Sequence, residues 1–455
     1  MMEQFVIQGG NRLSGTIRAS GNKNAATKMI PACLLTDEPV TLTNVPDILD
    51  VQIALELMQR LGASVEKLAP DTVCIHAQHV NSHVVDSELA QKTRASFVFA
   101  GPMLGRMGQA HIRAPGGDVI GERRLDSHVV ALRKLGADVE YERGHFKMKA
   151  GSLKGTDILL PEASVTATEN AIMAAVLAQG TTVIRNAAGE PHVQDLCKML
   201  VALGAKIDGI GSNRILIEGV ERLHGGEARI GADFMEVGSY IGAAAVTGGS
   251  IRIEDADPEY LDMVALVFDQ LGVTWEVDGQ DIVVPERQSL SVVNDLGGRI
   301  PRIKAQPWPG FPPDLMSIAL VIATQSAGAI LFHDWMYESR FFFTDKLSLM
   351  GARITQMDPH RVLVQGPTAL KGGGYISSPD IRAGMALVLA ALAAKGETII
   401  SNIRQIDRGY ERVEEKLTAL GADVQRIRLS QQERTQVGVV PLVSGITDET
   451  SEGSL

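Results

Sequence analysis

An α/β fold of two domains, each an inside-out α/β barrel of three repeats with helices inside and sheets outside, is predicted for this 455-residue chain. Two observations carry the prediction. Six times a hydrophobic helical stretch runs into a Leu-Gly-Ala-like tripeptide and then an alternating strand, with the glycines at Gly62, Gly136, Gly204, Gly272, Gly351 and Gly421, a period of about 70 residues. The earlier half of each unit also repeats: an Ala-rich apolar helix ends near a glycine and a strand of the type Thr181 to Asn186 follows, with counterparts at Val40 to Asn44, Ala110 to Arg113, Ser250 to Glu254, Ala329 to His333 and Thr398 to Asn402. Such units are too long for a solenoid and too few for most propellers. A chain of this length divides into roughly two to four domains, so a 3 + 3 grouping is preferred over one closed body.

Each unit therefore reads strand, helix, strand, helix, strand. The repeated glycine stands where a helix needs a left-handed residue just past its end, free of a β-carbon. Ser64-Val65-Glu66, Asp138-Val139-Glu140, Thr274-Trp275-Glu276 and Asp423-Val424-Gln425 then alternate as half-buried strands do. A cleft between two such domains is the default site. The repeat is exhausted after Val424, and the Gln-, Thr-, Ser- and Glu-rich residues 431–455 are expected to form a mobile tail.

Composition narrows the partners. A net charge of −11 argues against a general nucleic-acid binder, and hydrophobic residues at 45% are ample for packed cores. No signal-like start and no apolar run of spanning length is present, since Met385 to Ala394 is broken too soon; a cytoplasmic protein without membrane contact is expected. Cys33, Cys74 and Cys197 are scattered and the 10 histidines lack ligand spacing, so neither a disulfide frame nor a metal site is indicated.

Function must lie where the repeats differ. The first Ala-rich helix starts with Ser20-Gly21-Asn22-Lys23-Asn24, and matching helix starts carry Arg94, Asp314 and Arg382. Second-helix starts carry Arg123, Glu338 with Arg340, and Asp407 with Arg408. Cations at helix N-termini oppose the helix dipole, and a shared anionic ligand removes the conflict. Taken singly, Asp314 after Pro312-Pro313 reads as an N-cap, as does Asp407, and the arginines read as surface residues; recurrence at equivalent positions is what points to a ligand. Tyr337 and Phe341-Phe342-Phe343 read as packing residues. The Gly-rich loop 114–123, which holds Asp118, lies between a strand and a helix and reads equally as a lid or an exposed turn; its glycines match neither a dinucleotide nor a phosphate-loop fingerprint.

Ser20 to Ala26, Arg94-Ala95-Ser96, Pro115-Gly116-Gly117 with Ile120-Gly121 and Arg123, Phe311-Pro312 with Asp314, Glu338 with Arg340, and Asp407 to Arg412 together resemble the UDP-N-acetylglucosamine enolpyruvyl transferase family, in order over roughly residues 3 to 427. The resemblance implies one domain of residues 23–231 and a second of 1–22 plus 232–430. It implies transfer of enolpyruvyl from phosphoenolpyruvate to the 3-hydroxyl of UDP-N-acetylglucosamine with release of phosphate, the first committed step of peptidoglycan synthesis. Neither a metal nor an organic cofactor is implied. By the same resemblance Asp314 is the base at the sugar hydroxyl, and Asp118 takes the lid position at which many members carry Cys. Lys23, Arg94, Arg123, Arg382 and Arg408 are the cations around phosphate and carboxylate. Asn24, Asp126, Ser164, Met336, Glu338 and Arg340 complete the substrate-binding set. Two departures bear on the acceptor: Arg124 replaces a Pro beside the uracil and Thr166 replaces a Gly. Transfer to another uridine nucleotide or UDP-sugar, and a catalytically silent nucleotide-sugar-binding paralogue, are the alternatives. Members with a lid Cys are alkylated there by fosfomycin, so Asp118 implies an insensitive enzyme.

Overall fold

The described residues build six small sheets, five of four strands and one of three, around buried helices. The computed structural model describes residues 2–117, 121 and 123–429, so the expected tail lies outside the described residues. The sheets share one plan. In the sheet of the third unit, Thr181–Arg185 pairs antiparallel with Arg214–Glu218, which pairs antiparallel with Lys206–Asp208, while Asp157–Leu159 runs parallel along the other edge. A strand follows each repeated glycine as expected, although after Gly272 it begins only at Glu276, past Thr274 and Trp275, and is exposed throughout; in five of the units a tight turn then leads into a further strand that the sequence pattern left uncounted. Thr72–His76, His145–Lys149, Arg214–Glu218, Asp281–Val284 and Arg361–Gly366 are those strands. They sit mid-sheet, which is why they alternate buried and half-buried residues more regularly than the edge strands before them.

All six repeated glycines have positive φ, from +82° at Gly272 to +104° at Gly62. At Gly62 the Gly62 N–H reaches the Gln59 carbonyl and the Ala63 N–H reaches the Met58 carbonyl, the paired bonds of a Schellman cap. The same pair of bonds recurs at the other five glycines.

The buried hydrophobic side chains fall into two clusters, one drawn from residues 25–230 and the other from residues 5–19 and 232–424. In the second, helices Phe234–Thr247, Met316–Gln325 and Ile381–Ala393 are apolar nearly all round and sit innermost. They meet at Gly242, where a β-carbon would stand 3.0 Å from Ile318 Cγ2 and 3.2 Å from Leu389 Cδ2. In the first, helices Ala100–Met107 and Val165–Ala175 cross at Gly101, where a β-carbon would lie 2.4 Å from the Asn170 carbonyl oxygen.

Two chain crossings join the clusters, and they run side by side. Gly21 and Ala232 form an antiparallel bridge, the Asn22 N–H donates to the Gly231 carbonyl at 2.7 Å and the Asp233 N–H to the Ser20 carbonyl at 2.8 Å. An edge strand precedes each crossing and pairs within its own cluster: Ser14–Arg18 with Ser250–Glu254, and Gly226–Arg229 with Val40–Thr43. The chain's first strand, Met2–Gly9, fills the middle of the last sheet between Gly396–Ser401 and Asp423–Leu429.

Candidate active site

Helix starts from both clusters face one cleft with about 1180 Å³ of free space, its open mouth included. Its lining carries seven Lys or Arg side chains against three Asp or Glu. Cations so concentrated in a chain of net charge −11 give the cleft a positive lining of the kind that favours an anion.

On one wall, Lys23 opens helix Lys23–Ala32. The Asn22 side chain caps that helix by accepting from the Ala25 N–H at 3.0 Å, and Asp233 from the neighbouring crossing accepts from the Lys23 N–H at 3.2 Å. Lys23 Nζ and Arg408 Nε each lie 3.0 Å from the carboxylate of Asp50, which is 1% exposed. Burial alone would raise the Asp50 carboxyl, but Lys23 and Arg408 outweigh it and hold it below the usual range. The two cations come from different clusters, so Asp50 clasps the cleft shut at this corner.

On the opposite wall Asp314 Oδ1 accepts from Arg340 Nη2 at 3.0 Å and Oδ2 from Arg382 Nε at 3.1 Å. Asp314 therefore does not cap the helix it precedes: its carboxylate is turned into the cleft and spent on two nearly buried guanidiniums. Burial raises its carboxyl, yet Arg382 and Arg340 more than reverse this and hold it well below the ordinary range. Arg382 sits in the first turn of its helix without penalty because the Asp380 side chain accepts from the Arg382 and Ala383 N–H groups, and its guanidinium lies over the Tyr410 ring at 5.1 Å. Asp407 is likewise no cap; it forms a two-pronged pair with Arg426.

Arg94 Nη2 donates to the carbonyls of Arg123 at 2.6 Å and Arg124 at 3.1 Å, fixing the return limb of the Gly-rich loop. Burial, then the nearby Arg123 charge, pulls the Arg94 guanidinium down to about 10. The loop lies close against both halves of the molecule. A β-carbon on Gly116 would stand 1.8 Å from the Gln91 carbonyl oxygen, and one on Gly121 would stand 1.9 Å from Glu338 Oε2. Asp118 lies outside the described residues.

Lys23, Asn24, Arg94, Arg123, Asp314, Arg340, Arg382 and Arg408 all line the one cleft. Four other expected residues are not among its lining. Asp126 is exposed in the first turn of its helix, Ser164 precedes helix Val165–Ala175, and Met336 and Glu338 flank Tyr337, which does line the cleft and stacks under Arg340 at 4.9 Å. Tyr337 is thus a wall of the site and not only packing. Thr166 lines it too, its hydroxyl 2.9 Å from His128 Nε2. Sequence reasoning passed over Asp50, Lys28, Glu190, His192 and Trp308. Converging cations call for a buried acid among them, but nothing in the sequence singles out Asp50 as that acid. Among the described residues no group of three or more His, Cys, Asp or Glu converges to hold a metal ion.

A family model described as EPSP synthase (3-phosphoshikimate 1-carboxyvinyltransferase) matches residues 7–417. A UDP-N-acetylglucosamine 1-carboxyvinyltransferase from Treponema denticola is 53% identical over 424 residues, covering 93% of this chain and 99% of the relative. The chain belongs to the 1-carboxyvinyltransferase, or enolpyruvyl transferase, family. A relative of the same description from Bradyrhizobium diazoefficiens is 52% identical over 93% of this enolpyruvyl transferase and 98% of its own length. Among solved structures, the enolpyruvyl transferase NikO from Streptomyces tendae superposes with a TM-score of 0.83 at 24% identity, over 93% of this chain and 99% of that one. EPSP synthase from Acinetobacter baumannii superposes at 0.72 with 18% identity, over 94% and 100%. Both likenesses place the inside-out, two-domain fold of this enolpyruvyl transferase among enolpyruvyl transferase folds.

Proposed function

We propose that this chain transfers the enolpyruvyl group of phosphoenolpyruvate to the 3-hydroxyl of UDP-N-acetylglucosamine, releasing phosphate, in peptidoglycan synthesis. The observation that carries the reading is the meeting of Lys23, Arg123 and Arg408 with Asp314 across one cleft, in a chain half identical to transferases of that description. Lys23, Arg123 and Arg408 hold the phosphate, with Arg94 bracing the loop and Arg382 beside the carboxylate end. Positioned positive charge suits a reaction in which charge builds on the leaving phosphate.

The chemistry is addition followed by elimination. Asp314 stays ionised and accepts the hydroxyl proton as the new C–O bond forms. Its low basicity is no bar, because an alcohol proton becomes acidic only once that bond is advanced. Arg340 and Arg382 fix the direction in which the carboxylate points. Asp118 delivers a proton to the methylene carbon and recovers it in the elimination. Asn24, Asp126, Ser164, Met336 and Glu338 complete the nucleotide-sugar contacts, and the enzyme works in the cytoplasm. No helix among the described residues is long and apolar enough to cross a membrane.

A second reading, transfer to another uridine nucleotide, is favoured by Thr166, whose branched side chain narrows the cleft wall. Phosphate release from phosphoenolpyruvate is therefore measured with UDP-N-acetylglucosamine, UMP and other UDP-sugars in parallel. Release with UDP-N-acetylglucosamine at least tenfold faster than with the others is expected. Binding without release from any acceptor would establish a silent paralogue instead.

A further inference from the structure

Behind the cleft floor lies a charged pair that none of these roles uses. Lys28 is one turn and a half beyond Lys23 on the same helix; it is 4% exposed and lines the cleft. Glu169, on helix Val165–Ala175, is wholly buried. Lys28 Nζ stands 3.8 Å from Glu169 Oε2, too far for a hydrogen bond, and neither Glu169 oxygen has any hydrogen-bond partner. An ionised carboxylate sealed from water and given no donor is the most costly state such a group can occupy. A carboxylic acid beside an uncharged amine avoids that cost.

The surroundings press the same way. Lys23 and Arg123 disfavour a second ammonium at Lys28, while Asp50 favours one. Glu190 disfavours a carboxylate at Glu169, and Cys197 faces it from the next helix as a thiol whose pKa burial pushes up to about 12. His192, also in the lining, is kept neutral by burial and the adjacent cations, and its Nδ1 has no partner. Burial lifts the Glu169 acid to about 8 despite Lys28, and burial likewise pulls the Lys28 ammonium down.

We propose that Lys28 is a further anion-holding side chain of this cleft and that Glu169 is its proton store. In the empty site the pair carries one proton, on Glu169. When the phosphate of the substrate enters, the Glu169 O–H bond breaks as a new N–H bond forms on Lys28. The ammonium then faces the anion and the carboxylate stands behind it. The heads must approach by about 1 Å for the transfer, and no proton enters or leaves the site. When product phosphate departs, the proton returns. The cleft thus gains a positive charge only while an anion is there to meet it.

The inference rests on the proposed use of phosphoenolpyruvate, and its test separates the two. The KM for phosphoenolpyruvate is measured from pH 6.5 to 9.5 for the unmodified protein and for the double variant Lys28→Met with Glu169→Gln, which replaces the buried pair by uncharged side chains of similar size and is expected to fold. In the unmodified protein KM rises above pH about 8, as the shared proton is lost and a bare carboxylate opposes the anion. The double variant shows a KM raised about tenfold or more at pH 7, as for loss of one charge-assisted contact, with little dependence on pH and the sugar-nucleotide KM changed less than twofold. A variant KM within twofold of the unmodified value, or an unchanged pH profile, overturns the proposal. Should the double variant not fold, Glu169→Gln alone is decisive: its KM must begin to rise at lower pH than that of the unmodified protein, and coincident profiles overturn the proposal. If the unmodified protein fails to turn over phosphoenolpyruvate, the functional reading falls by itself, and calorimetric binding of inorganic phosphate then tests the pair in the same variants, weakened binding supporting it and equal binding refuting it.

Discussion

Replacing Asp314 by Asn separates a clasp from a base, because the two roles predict different magnitudes in different assays. The carboxylate accepts from two guanidiniums that are 2% and 4% exposed. Asn keeps one acceptor oxygen but no charge, so Arg382 loses its carboxylate partner and Arg340 falls back on Asp334, 3.6 Å from its Nε, in a nearly dry wall. Breaking a buried pair of this kind costs about 3–5 kcal/mol. For a cooperative unit of this size, that is a fall in Tm of roughly 6–20 °C. Because Asp314 titrates below its unfolded value, its contribution is fully present above pH about 4 and is lost as pH falls toward the lower folded value. The stability gap between the two proteins should therefore be constant from pH 5 to 8 and narrow only in stronger acid. Independently, kcat for phosphate release should fall roughly 100-fold or more, as for a lost proton acceptor, while calorimetric binding of the sugar nucleotide persists. The acid limb of the unmodified enzyme's kcat/KM profile should show no inflection near pH 5 to 7 that disappears in the variant. A variant with unchanged Tm refutes the clasp, and one with kcat within threefold of the parent refutes the base.

Arg123→Ala or Arg408→Ala should leave the fold intact and lower phosphoenolpyruvate turnover by at least tenfold, since each removes a charge-assisted contact worth about 1.5–3 kcal/mol; near-normal kinetics in both would remove the proposed anion site. Asp50→Asn should destabilise the empty protein, and saturating inorganic phosphate should recover more Tm in the variant than in the parent, because the anion replaces the missing charge between Lys23 and Arg408; equal recovery would show that these cations do not face the anion. Fosfomycin should not inactivate the unmodified enzyme, because a carboxylate at position 118 is a far poorer nucleophile toward the epoxide than a thiolate. Asp118→Cys should be active and sensitive, whereas Asp118→Asn should be nearly inactive. A covalent fosfomycin adduct on the unmodified chain, seen by mass spectrometry, would end that assignment.

The six repeated glycines were legible because a left-handed cap admits few residues, so one backbone requirement leaves a mark that survives divergence of everything around it. The mid-sheet strands that follow were not, since after one alternating strand a tight turn and a second strand look like more of the same. In the site, cations expected at helix starts stood out because they would oppose the dipole, but only Lys23, Arg94 and Arg382 open helices; Arg123 and Arg340 precede theirs, and Arg408 ends the short helix Ile403–Arg408, where the dipole favours it. Asp50 did not stand out, because an acid in the first turn of a helix is what the dipole already favours, and only its contacts with Lys23 and Arg408 show it to be a clasp. Asp314 after two prolines carried the local signature of a cap, and tertiary partners 26 and 68 residues away overrode it. Lys28 was invisible for a different reason: amid Ala25, Ala26, Met29 and Ile30 it reads as a charge on the outer edge of a core helix, and only the buried Glu169 opposite shows that it points inward.

The placement of the first strand has a consequence for the order in which this molecule comes into being. One hydrophobic cluster is supplied by a single continuous stretch and has all its strands once residue 229 has left the ribosome. The other cannot close then, because Met2–Gly9 waits for partners at Gly396–Ser401 and Asp423–Leu429. Among the described strands Met2–Gly9 is the first made and its neighbour Asp423–Leu429 the last, so it lacks both partners through most of the synthesis between them. Closure of the second body therefore spans nearly the whole sequence, the kind of distant contact that slows folding. The body made from one continuous stretch can close first, and the one that pairs Met2–Gly9 with Asp423–Leu429 closes after it.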